Sequence, residues 1–351
     1  MHHSQINSDV RKLIAEGTVM PAHPLALTAE RQLDRKHQRA LTRYYIDAGS
    51  GGLAVGVHTT QFAIRDVGLY RPVLELAAET AASWTKRPLA MVAGLAGPTR
   101  QAIAEARTAR DIGYHAGLLS LAAMKSASED QIIAHCTAVA AEIPLVGFYL
   151  QPAVGGVILS SRFWQRFASI DNVIAIKIAP FNRYRTLDVL RGVAAAGALE
   201  RVALYTGNDD HILLDLMLPF DLRDKGVITR TYFKGGLLGH WSVWTASAIK
   251  QFERCKAARH KDSVPADLLA LDARVTDCNS AFFDVANNFH GCIAGCHEVL
   301  RRQGLLQGLW CLDPNEGLSP GQKEEIDRVT REHADLGDDS FVTANLDKWL
   351  A

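Results

Sequence analysis

The sequence predicts an α/β protein, a (β/α)8 TIM barrel with a C-terminal all-helical appendage. Eight short apolar segments alternate with helical segments as far as about residue 255, and this order favours parallel strands joined by helical crossovers. Eight such units are the number that closes a barrel. No G-x-G-x-x-G follows the first strand, so an open nucleotide-binding sheet is the weaker alternative. We therefore expect a barrel over residues 1–255 and a helical domain over residues 256–351.

The predicted strands are short apolar runs bounded by glycine or by polar turns. In chain order they cover 17–21, 53–57, 89–93, 116–121, 144–149, 172–179, 202–206 and 226–229. Apolar residues at helical spacing predict the intervening helices, with Thr28 as N-cap of the first long helix and a capping box from Ser128 to Gln131 in another. Beyond the barrel we expect helices over 265–288, 292–303, 320–333 and 343–350.

Composition argues against several classes of partner. With 38 basic and 38 acidic residues the formal net charge is zero, and no long basic run offers a surface for nucleic acid or an anionic membrane. No stretch of about 20 apolar residues would span a bilayer, and the N-terminal residues have no apolar core of the kind that a secretion signal needs. We expect a cytoplasmic protein whose partner is a small molecule.

Six cysteines are sparse for 351 residues and do not suggest a disulfide framework. Cys292 and Cys296 are four residues apart with His297 beside them, so on a helix their thiols would share a face. No second pair of ligands accompanies them, and cysteine is commonly a buried core residue. We expect structural cysteines, with neither a metal nor a cofactor.

One predicted strand, residues 172–179, is apolar except for its terminal asparagine and Lys177. Side chains alternate along a strand, so Ile174, Ile176 and Ile178 are expected to face the helices and the lysine, between two alanines, the opposite side. A lysine buried without a partner tends to lose its charge, and a neutral amine can form a Schiff base with a carbonyl group. Alternatively the lysine pairs with a carboxylate or reaches solvent from the strand end.

Polar residues end several other predicted strands, and in a barrel these C-terminal strand ends form the active-site mouth. They are His58, Thr59 and Thr60 after the second strand, Tyr149 and Gln151 after the fifth, Thr206, Asn208 and Asp209 after the seventh, and Thr229 after the eighth. Adjacent hydroxyls can bind a carboxylate, and a phenol can relay a proton to a carbonyl oxygen. With the lysine amine, these groups suit a 2-keto acid whose carbonyl becomes an imine. Singly, each could be structural, as a strand threonine or a core tyrosine is.

Four of these segments, in this order and spacing, resemble the dihydrodipicolinate synthase / N-acetylneuraminate lyase family of class I aldolases. The resemblance runs from about Gly17 to Gly321. The first segment is Gly52-Leu-Ala-Val-Gly-Val-His-Thr-Thr60, which is similar to the family's Gly-Thr-Thr-Gly-Glu strand end, and the second is Phe148-Tyr-Leu-Gln-Pro152, which is similar to Tyr-Asn-x-Pro. The third is Ile174-Ala-Ile-Lys177, which is similar to the family's Schiff-base strand, and the fourth is Thr206-Gly-Asn-Asp209, which is similar to Ser-Gly-Asp-Asp.

The resemblance implies a homo-oligomer, a dimer or a tetramer, and assigns roles to residues at the mouth. Lys177 would form the imine. The other implied catalytic residues are Tyr149, as proton relay, and Thr60. The implied substrate-binding residues are Thr59 and Thr60 for the carboxylate, with His58 beside them, and Gly207, Asn208 and Asp209 for the distal part of the substrate.

Three departures indicate a divergent member of such a family rather than dihydrodipicolinate synthase itself. Both glycines and the glutamate of Gly-Thr-Thr-Gly-Glu are replaced. Residues 121–124 contain no tyrosine where the synthase supplies one across a dimer interface, and 153–155 contain no arginine for a second substrate's carboxylate. Arg183 and Arg185 could replace that cation, or could be solvated loop residues.

We therefore expect a Schiff-base-forming lyase or aldolase that acts on pyruvate or another 2-keto acid through Lys177. Two alternatives stay open. One is a hydro-lyase that uses the same imine to eliminate water from a 2-keto-3-deoxy sugar acid. The other is a non-catalytic barrel that binds a small acid, which the replaced residues favour and the retained Lys177 and Tyr149 oppose.

Overall fold

The computed structural model describes residues 1–224 and 226–351. Eight parallel strands form one sheet and alternate with helices, so the predicted (β/α)8 barrel is confirmed. All strands except β8 and β9 belong to this sheet. In chain order the strands are β1 Val19–Pro21, β2 Gly52–Val55, β3 Ala90–Leu95, β4 Ala116–Leu119, β5 Leu145–Leu150, β6 Val173–Ala179, β7 Ala203–Thr206, β8 Phe220–Asp224, β9 Val227–Thr231 and β10 Gly235–Leu238.

The barrel closes at β1. On one side β1 pairs with β10, with Val19 opposite Gly236, and β10 continues to β7. On the other side, just beyond β1, the amide of His23 donates to the carbonyl oxygen of Ala54 in β2 at 2.8 Å. Strands β2 to β7 follow one another in sequence order. All C-terminal strand ends therefore open at one end of the barrel, where side chains of such folds carry out chemistry.

Helices cover the outside of the barrel and continue beyond it. In chain order they are α1 Ser8–Glu16, α2 Arg35–Ala48, α3 Tyr70–Trp84, α4 Thr99–Ile112, α5 Glu129–Ala140, α6 Ser161–Ala168, α7 Arg183–Ala195, α8 Ile212–Met217, α9 Thr245–Ala258, α10 Ala266–Phe282, α11 Cys292–Arg302, α12 Gln322–Glu332 and α13 Asp339–Leu350. The capping box from Ser128 to Gln131 is confirmed, whereas Asp34 rather than Thr28 caps α2. Within the described ranges, none of these helices has the length and apolar character needed to cross a membrane.

The predicted position of the eighth barrel strand is wrong. Residues 227–231 form β9, which pairs with β8 in an antiparallel hairpin and leaves Thr229 exposed, away from the mouth. The last barrel strand is β10, where a Cβ on Gly235 would lie 2.2 Å from the carbonyl oxygen of Thr18. Close backbone approach therefore requires glycine in β10. Because glycine is not typical of strands, the sequence pattern did not predict a strand here.

Apolar side chains form an inner and an outer cluster. The inner cluster fills the barrel with residues such as Val146 and Phe148, and Val10 and Ile14 of α1 join it. The outer cluster lies between strands and helices and continues into α10 to α13. Because this core is continuous, the boundary at residue 255 stays a prediction.

A bulge at the start of β6 changes one predicted face of that strand. Leu145 pairs with Val173 and Val146 with Ala175, so Ile174 is an extra residue. Ile174 consequently joins the inner cluster, contrary to the prediction. Beyond the bulge the alternation is regular. Ile176 and Ile178 face the helices as predicted, and Lys177 faces the barrel interior.

Candidate active site

Lys177 extends from β6 into a cavity at the mouth of the barrel. The side chain is 9% exposed, and its Nζ lies 4.5 Å from the centre of the Phe148 ring. The lysine stem packs over Gly207, where a Cβ would lie 2.7 Å from Cε of Lys177. Glycine at this position therefore gives the lysine the space to extend, and Gly207 also lines the cavity, so the substrate contact that the resemblance implies stays a prediction.

Asp209 lines the same cavity and is the partner of Lys177 in electrostatic terms. Its Oδ1 accepts a hydrogen bond from the amide of His240 at 3.0 Å. Burial lowers the pKa of Lys177, against the charge of Asp209, which raises it. Burial also raises the pKa of Asp209, whereas the hydrogen bond from the His240 amide and the charge of Lys177 lower it. The two pKa values approach each other, so the pair can exchange a proton at small cost.

His58 and Thr59 line the cavity, as the sequence predicts. Burial, reinforced by the charge of Lys177, lowers the pKa of His58 to about 4, so its imidazole is neutral at physiological pH. The hydroxyl of Thr59 makes no hydrogen bond to another side chain or backbone group in the described chain. A neutral imidazole and a free hydroxyl can orient a carboxylate without adding a full charge.

Thr60 and Asn208 do not line the cavity, contrary to the prediction. The hydroxyl of Thr60 donates to the carbonyl oxygen of His23 at 2.6 Å and accepts from the amide of Gly56 at 2.9 Å. The carboxamide of Asn208 accepts from the amide of Phe181 at 3.1 Å and donates to Asp215 at 2.8 Å. Both side chains therefore fix loops at the mouth, and neither has its polar group turned to the cavity.

The predicted position of Tyr149 at the mouth is also wrong. Its ring packs against Trp164 of α6 with centroids 5.0 Å apart, and its hydroxyl reaches only the backbone of Leu159, at 3.4 to 3.5 Å. Phe148, the preceding residue of β5, pairs with Lys177 in the ladder and occupies the inner face. Because adjacent strand residues point to opposite faces, Tyr149 must then face the helices.

The two arginines proposed as a replacement cation are engaged elsewhere. Arg183 forms an ion pair with the buried Asp215 at 2.5 Å, and Arg185 pairs with Asp188 at 3.5 Å. Neither lines the cavity. Among the described lining residues, Lys177 is the only lysine or arginine, and the only other side chain that could carry a positive charge, His58, is neutral at physiological pH.

The cavity has a volume of about 710 Å³, which includes space open to solvent. One part of its lining, not predicted from the sequence, comes from residues 283–296 between α10 and the middle of α11. Cys292 and Cys296 lie in this part. Burial raises the pKa of both thiols, that of Cys292 to about 12, so neither is a thiolate at neutral pH. The expectation of structural cysteines agrees with this environment.

Within residues 1–224 and 226–351, two groups of possible metal ligands lie away from the cavity. They are His2, His3 and Asp171 at the surface, and Asp277, Glu332 and His333. In the second group, Arg328 binds both oxygens of Asp277 at 2.9 Å and holds its pKa at about 2, so an ion pair satisfies the carboxylate. These clusters are therefore part of surface ion pairing, and the absence of a metal stays a prediction.

A closed barrel whose sixth strand presents a buried lysine at the mouth, beside a carboxyl group, has the architecture of a class I aldolase. A sequence model of the Dihydrodipicolinate synthetase family matches residues 16–233. The chain belongs to this family, as the motifs predict, and is accordingly a lyase.

Individual relatives are distant. The chain is 26% identical over 253 residues to a 4-hydroxy-tetrahydrodipicolinate synthase from Halorhodospira halophila, covering 72% of this chain and 75% of the relative. The corresponding synthase of Synechococcus elongatus is 27% identical over 201 residues, covering 55% of this chain and 62% of the relative. The identities are those of a divergent member.

Solved structures show the same fold at lower identity. A dihydrodipicolinate synthase from Acinetobacter baumannii, complexed with pyruvate, superposes with a TM-score of 0.73 at 20% identity over 91% of this chain and 99% of that one. An N-acetylneuraminate lyase from Fusobacterium nucleatum gives a TM-score of 0.69 at 16% identity over 91% and 99%. Both likenesses concern the fold alone.

Proposed function

We propose that this protein forms a Schiff base between Lys177 and pyruvate or another 2-keto acid, and that its reaction is not that of 4-hydroxy-tetrahydrodipicolinate synthase. The observation that carries the proposal is the buried amine of Lys177, which faces the cavity. No carboxylate oxygen of the described residues lies within 4.0 Å of its Nζ, so the amine has no salt-bridge partner there. An amine in such a place is uncharged at low cost and free to attack a carbonyl carbon.

The groups around Lys177 suggest how the reaction proceeds. Thr59 and the neutral His58 orient the carboxylate of the keto acid, while the lysine nitrogen attacks the keto carbon and water leaves. The resulting iminium ion withdraws electrons, so the adjacent carbon can lose a proton and become a nucleophile. Asp209 is the only carboxyl group in the described lining. It therefore replaces Tyr149 as the group that accepts and returns protons.

Two absences in the lining argue against the synthase reaction. The second substrate of that enzyme carries a carboxylate of its own, which needs a cationic partner. At neutral pH the described lining offers no cationic side chain other than Lys177. Tyr149 also lies on the far side of β5. A second substrate without a carboxylate fits this cavity better.

Borohydride trapping tests the proposal. Incubation with pyruvate and borohydride is expected to reduce the imine and attach the ligand covalently to Lys177, as peptide mass spectrometry would show. The variant Lys177→Ala should form no adduct, whereas Lys250→Ala, which removes an exposed lysine of α9, should form as much as the parent. Absence of an adduct with pyruvate and with a panel of other 2-keto acids would rule the proposal out.

The alternatives give different results in the same system. A hydro-lyase would form the adduct and release water from a 2-keto-3-deoxy sugar acid without cleaving carbon–carbon bonds, which product analysis distinguishes. A non-catalytic barrel that only binds an acid would gain the same thermal stability from the acid in the parent and in Lys177→Ala. Loss of that stabilisation in the variant supports imine formation instead.

We also propose that the protein is a homo-oligomer, a dimer or a tetramer. The support is family membership, and light scattering of the purified protein tests it. A mass equal to one chain at micromolar concentration would contradict it.

A further inference from the structure

The C-terminal part of the cavity lining is apolar. It consists of Phe283, Phe289, Cys292, Ile293 and Cys296. None of these side chains carries a charge at neutral pH, since burial raises the pKa of both thiols. A substrate that occupies this part of the cavity gains free energy by removing apolar surface from water.

Two phenylalanines meet at the mouth from distant parts of the chain. The rings of Phe181, after β6, and Phe289, before α11, have centroids 6.0 Å apart and planes at 70°, an edge-to-face arrangement. Both residues have positive φ angles, 49° and 66°, which are rare for bulky side chains. Such strain persists where surrounding contacts enforce it and is concentrated at functional sites.

A partly buried hydrogen bond fixes the backbone that carries one of these rings. The amide of Phe181 donates to Asn208 at 3.1 Å, and the same carboxamide is fixed by the buried Asp215. The ring of Phe181 nevertheless stays partly exposed, as does that of Phe289. The loop network therefore presents two aromatic rings to the cavity instead of burying them in the core.

The polar groups of the lining are already assigned. Thr59 and His58 face the keto acid's carboxylate, and Lys177 and Asp209 act at the reacting carbon atoms. Gln151 is the one further side-chain amide in the described lining. A polyhydroxylated second substrate would leave hydroxyl groups against phenylalanine and isoleucine without hydrogen bonds, and an acidic one would meet no cation.

We propose that the second substrate of this enzyme is an apolar aldehyde of aromatic size, and that the product is an aryl-substituted 4-hydroxy-2-keto acid. The inference rests on the proposed function and specifies its substrate class. In the condensation, the enamine carbon derived from the methyl group of pyruvate forms a bond to the aldehyde carbon. The carbonyl π electrons move to the aldehyde oxygen, which takes a proton, and water then hydrolyses the iminium ion. Cleavage is the same sequence reversed.

Competition between aldehydes tests the substrate class. With pyruvate held constant, kcat/KM is measured for benzaldehyde, 3-phenylpropanal, glyceraldehyde and succinic semialdehyde, with products identified by mass spectrometry. The expected result is a kcat/KM for an aromatic aldehyde at least about tenfold above that for either polar aldehyde, the discrimination that a few buried methylene equivalents provide.

Variants of Phe289 link the preference to the proposed wall. Phe289→Asn removes the ring but retains a residue that tolerates positive φ, so the loop can keep its conformation. We expect it to reduce the ratio of aromatic to polar kcat/KM about tenfold, while pyruvate adduct formation continues. Phe289→Leu should retain most of the ratio. Leu269→Asn, on an exposed position of α10, is the matched control and should not change it.

The outcomes separate the inference from the proposed function. If neither pyruvate nor any other 2-keto acid of the panel forms an adduct, the proposed function fails and the inference with it. If the adduct forms but polar aldehydes react as well as aromatic ones, or no aldehyde of the panel reacts, only the inference is overturned. An unchanged ratio in Phe289→Asn, with adduct formation intact, would also overturn it, because the wall would then not select the substrate.

Discussion

At the scale of single residues, Lys177 and Asp209 show how burial supplies reactivity. Neither could hold a full charge in this cavity without cost, and each changes the protonation of the other. Iminium formation needs a proton on the carbinolamine oxygen, so that this oxygen leaves as water after the amine has attacked. A carboxyl group in the same cavity can supply that proton without exchange with solvent.

The variant Asp209→Asn separates the two effects of the carboxylate. Its negative charge raises the pKa of Lys177, so its removal should lower that pKa and shift the pH dependence of adduct formation to lower pH by about one unit. Turnover should fall by about 10²- to 10⁴-fold, the usual contribution of a proton-transferring group. Trapping rates and kcat measured from pH 5 to 9 test both, with Asp267→Asn, an exposed residue of α10, as control.

Either of two results would contradict this account of Asp209. An adduct profile that stays in place or moves to higher pH would mean that the carboxylate does not stabilise the ammonium form of Lys177. Unchanged turnover in Asp209→Asn would mean that another group transfers the protons. His58 would then be the next candidate, since it too lines the cavity.

Single residues of the site were predictable to different degrees. A lysine within an apolar strand is unusual enough to be singled out from sequence, and it does face the cavity. Thr59 and Asp209 followed from their places at strand ends. Thr60 and Asn208 occupy equally suitable places, but nearby backbone groups take their polar atoms. Sequence spacing cannot show which neighbours a side chain will meet.

At the scale of elements, β5 decides which aromatic residue reaches the lysine. The distance from Tyr149 to the following proline fits the family motif, yet the face of a strand is set by its register with neighbours. Here Phe148 pairs with Lys177, and so the tyrosine packs under α6. The alternation of Val146 and Phe148 with Gly147 and Tyr149 was the available sequence signal.

Tyr149→Phe tests this register. If the hydroxyl lies outside the cavity, its removal should change kcat/KM less than about twofold, and the long hydrogen bonds it makes imply a small effect on stability. A loss of about 10²-fold or more would show that the phenol acts in the reaction after all. Phe148→Ala, which opens the inner face, should by contrast impair the reaction.

Strand β10 shows a second limit of sequence patterns. Residues 227–231 have the β-branched character of a strand, and they do form one, but in an exposed hairpin. The glycines of β10 carry no such signal. Their use becomes visible only when the neighbouring backbone is present, 2.2 Å from a would-be Cβ of Gly235.

At the scale of the whole molecule, the apolar wall could not be foreseen because its parts are far apart in the chain. Phe181 follows the sixth strand, and Phe289 lies beyond the barrel, between α10 and α11. Helical patterns predict both flanking helices but not how the C-terminal helices sit over the mouth. The packing of these helices determines the shape of the cavity and makes one part of its lining apolar.

Buried histidines are expected to make stability depend on pH. Burial lowers the pKa of His23, His240 and His297 to about 4 in the folded state, against about 6.5 in the unfolded chain. Between these values the unfolded chain binds protons that the folded protein does not, so the free energy of unfolding falls as pH falls. From pH 6.5 to 5 the loss is about 1.6 kcal/mol for each histidine.

Urea unfolding between pH 7 and 5 measures this dependence. His23→Gln removes one fully buried imidazole, held between Thr42 and the carbonyl oxygen of Pro24. The variant should be less stable at pH 7 but lose less stability on acidification than the parent. Equal slopes in the two proteins would show that His23 is not kept neutral by burial.

The pairing of β1 with β10 has a consequence for the synthesis of the chain. Val19 is opposite Gly236, so the two halves of this contact are made at opposite ends of the barrel sequence. On the ribosome, a closed barrel cannot exist until residue 236 has been polymerised. Until then β1 has an unpaired edge, and an unpaired strand edge invites pairing with other chains. About two thirds of this chain is therefore synthesised before β1 can pair with its partner strand.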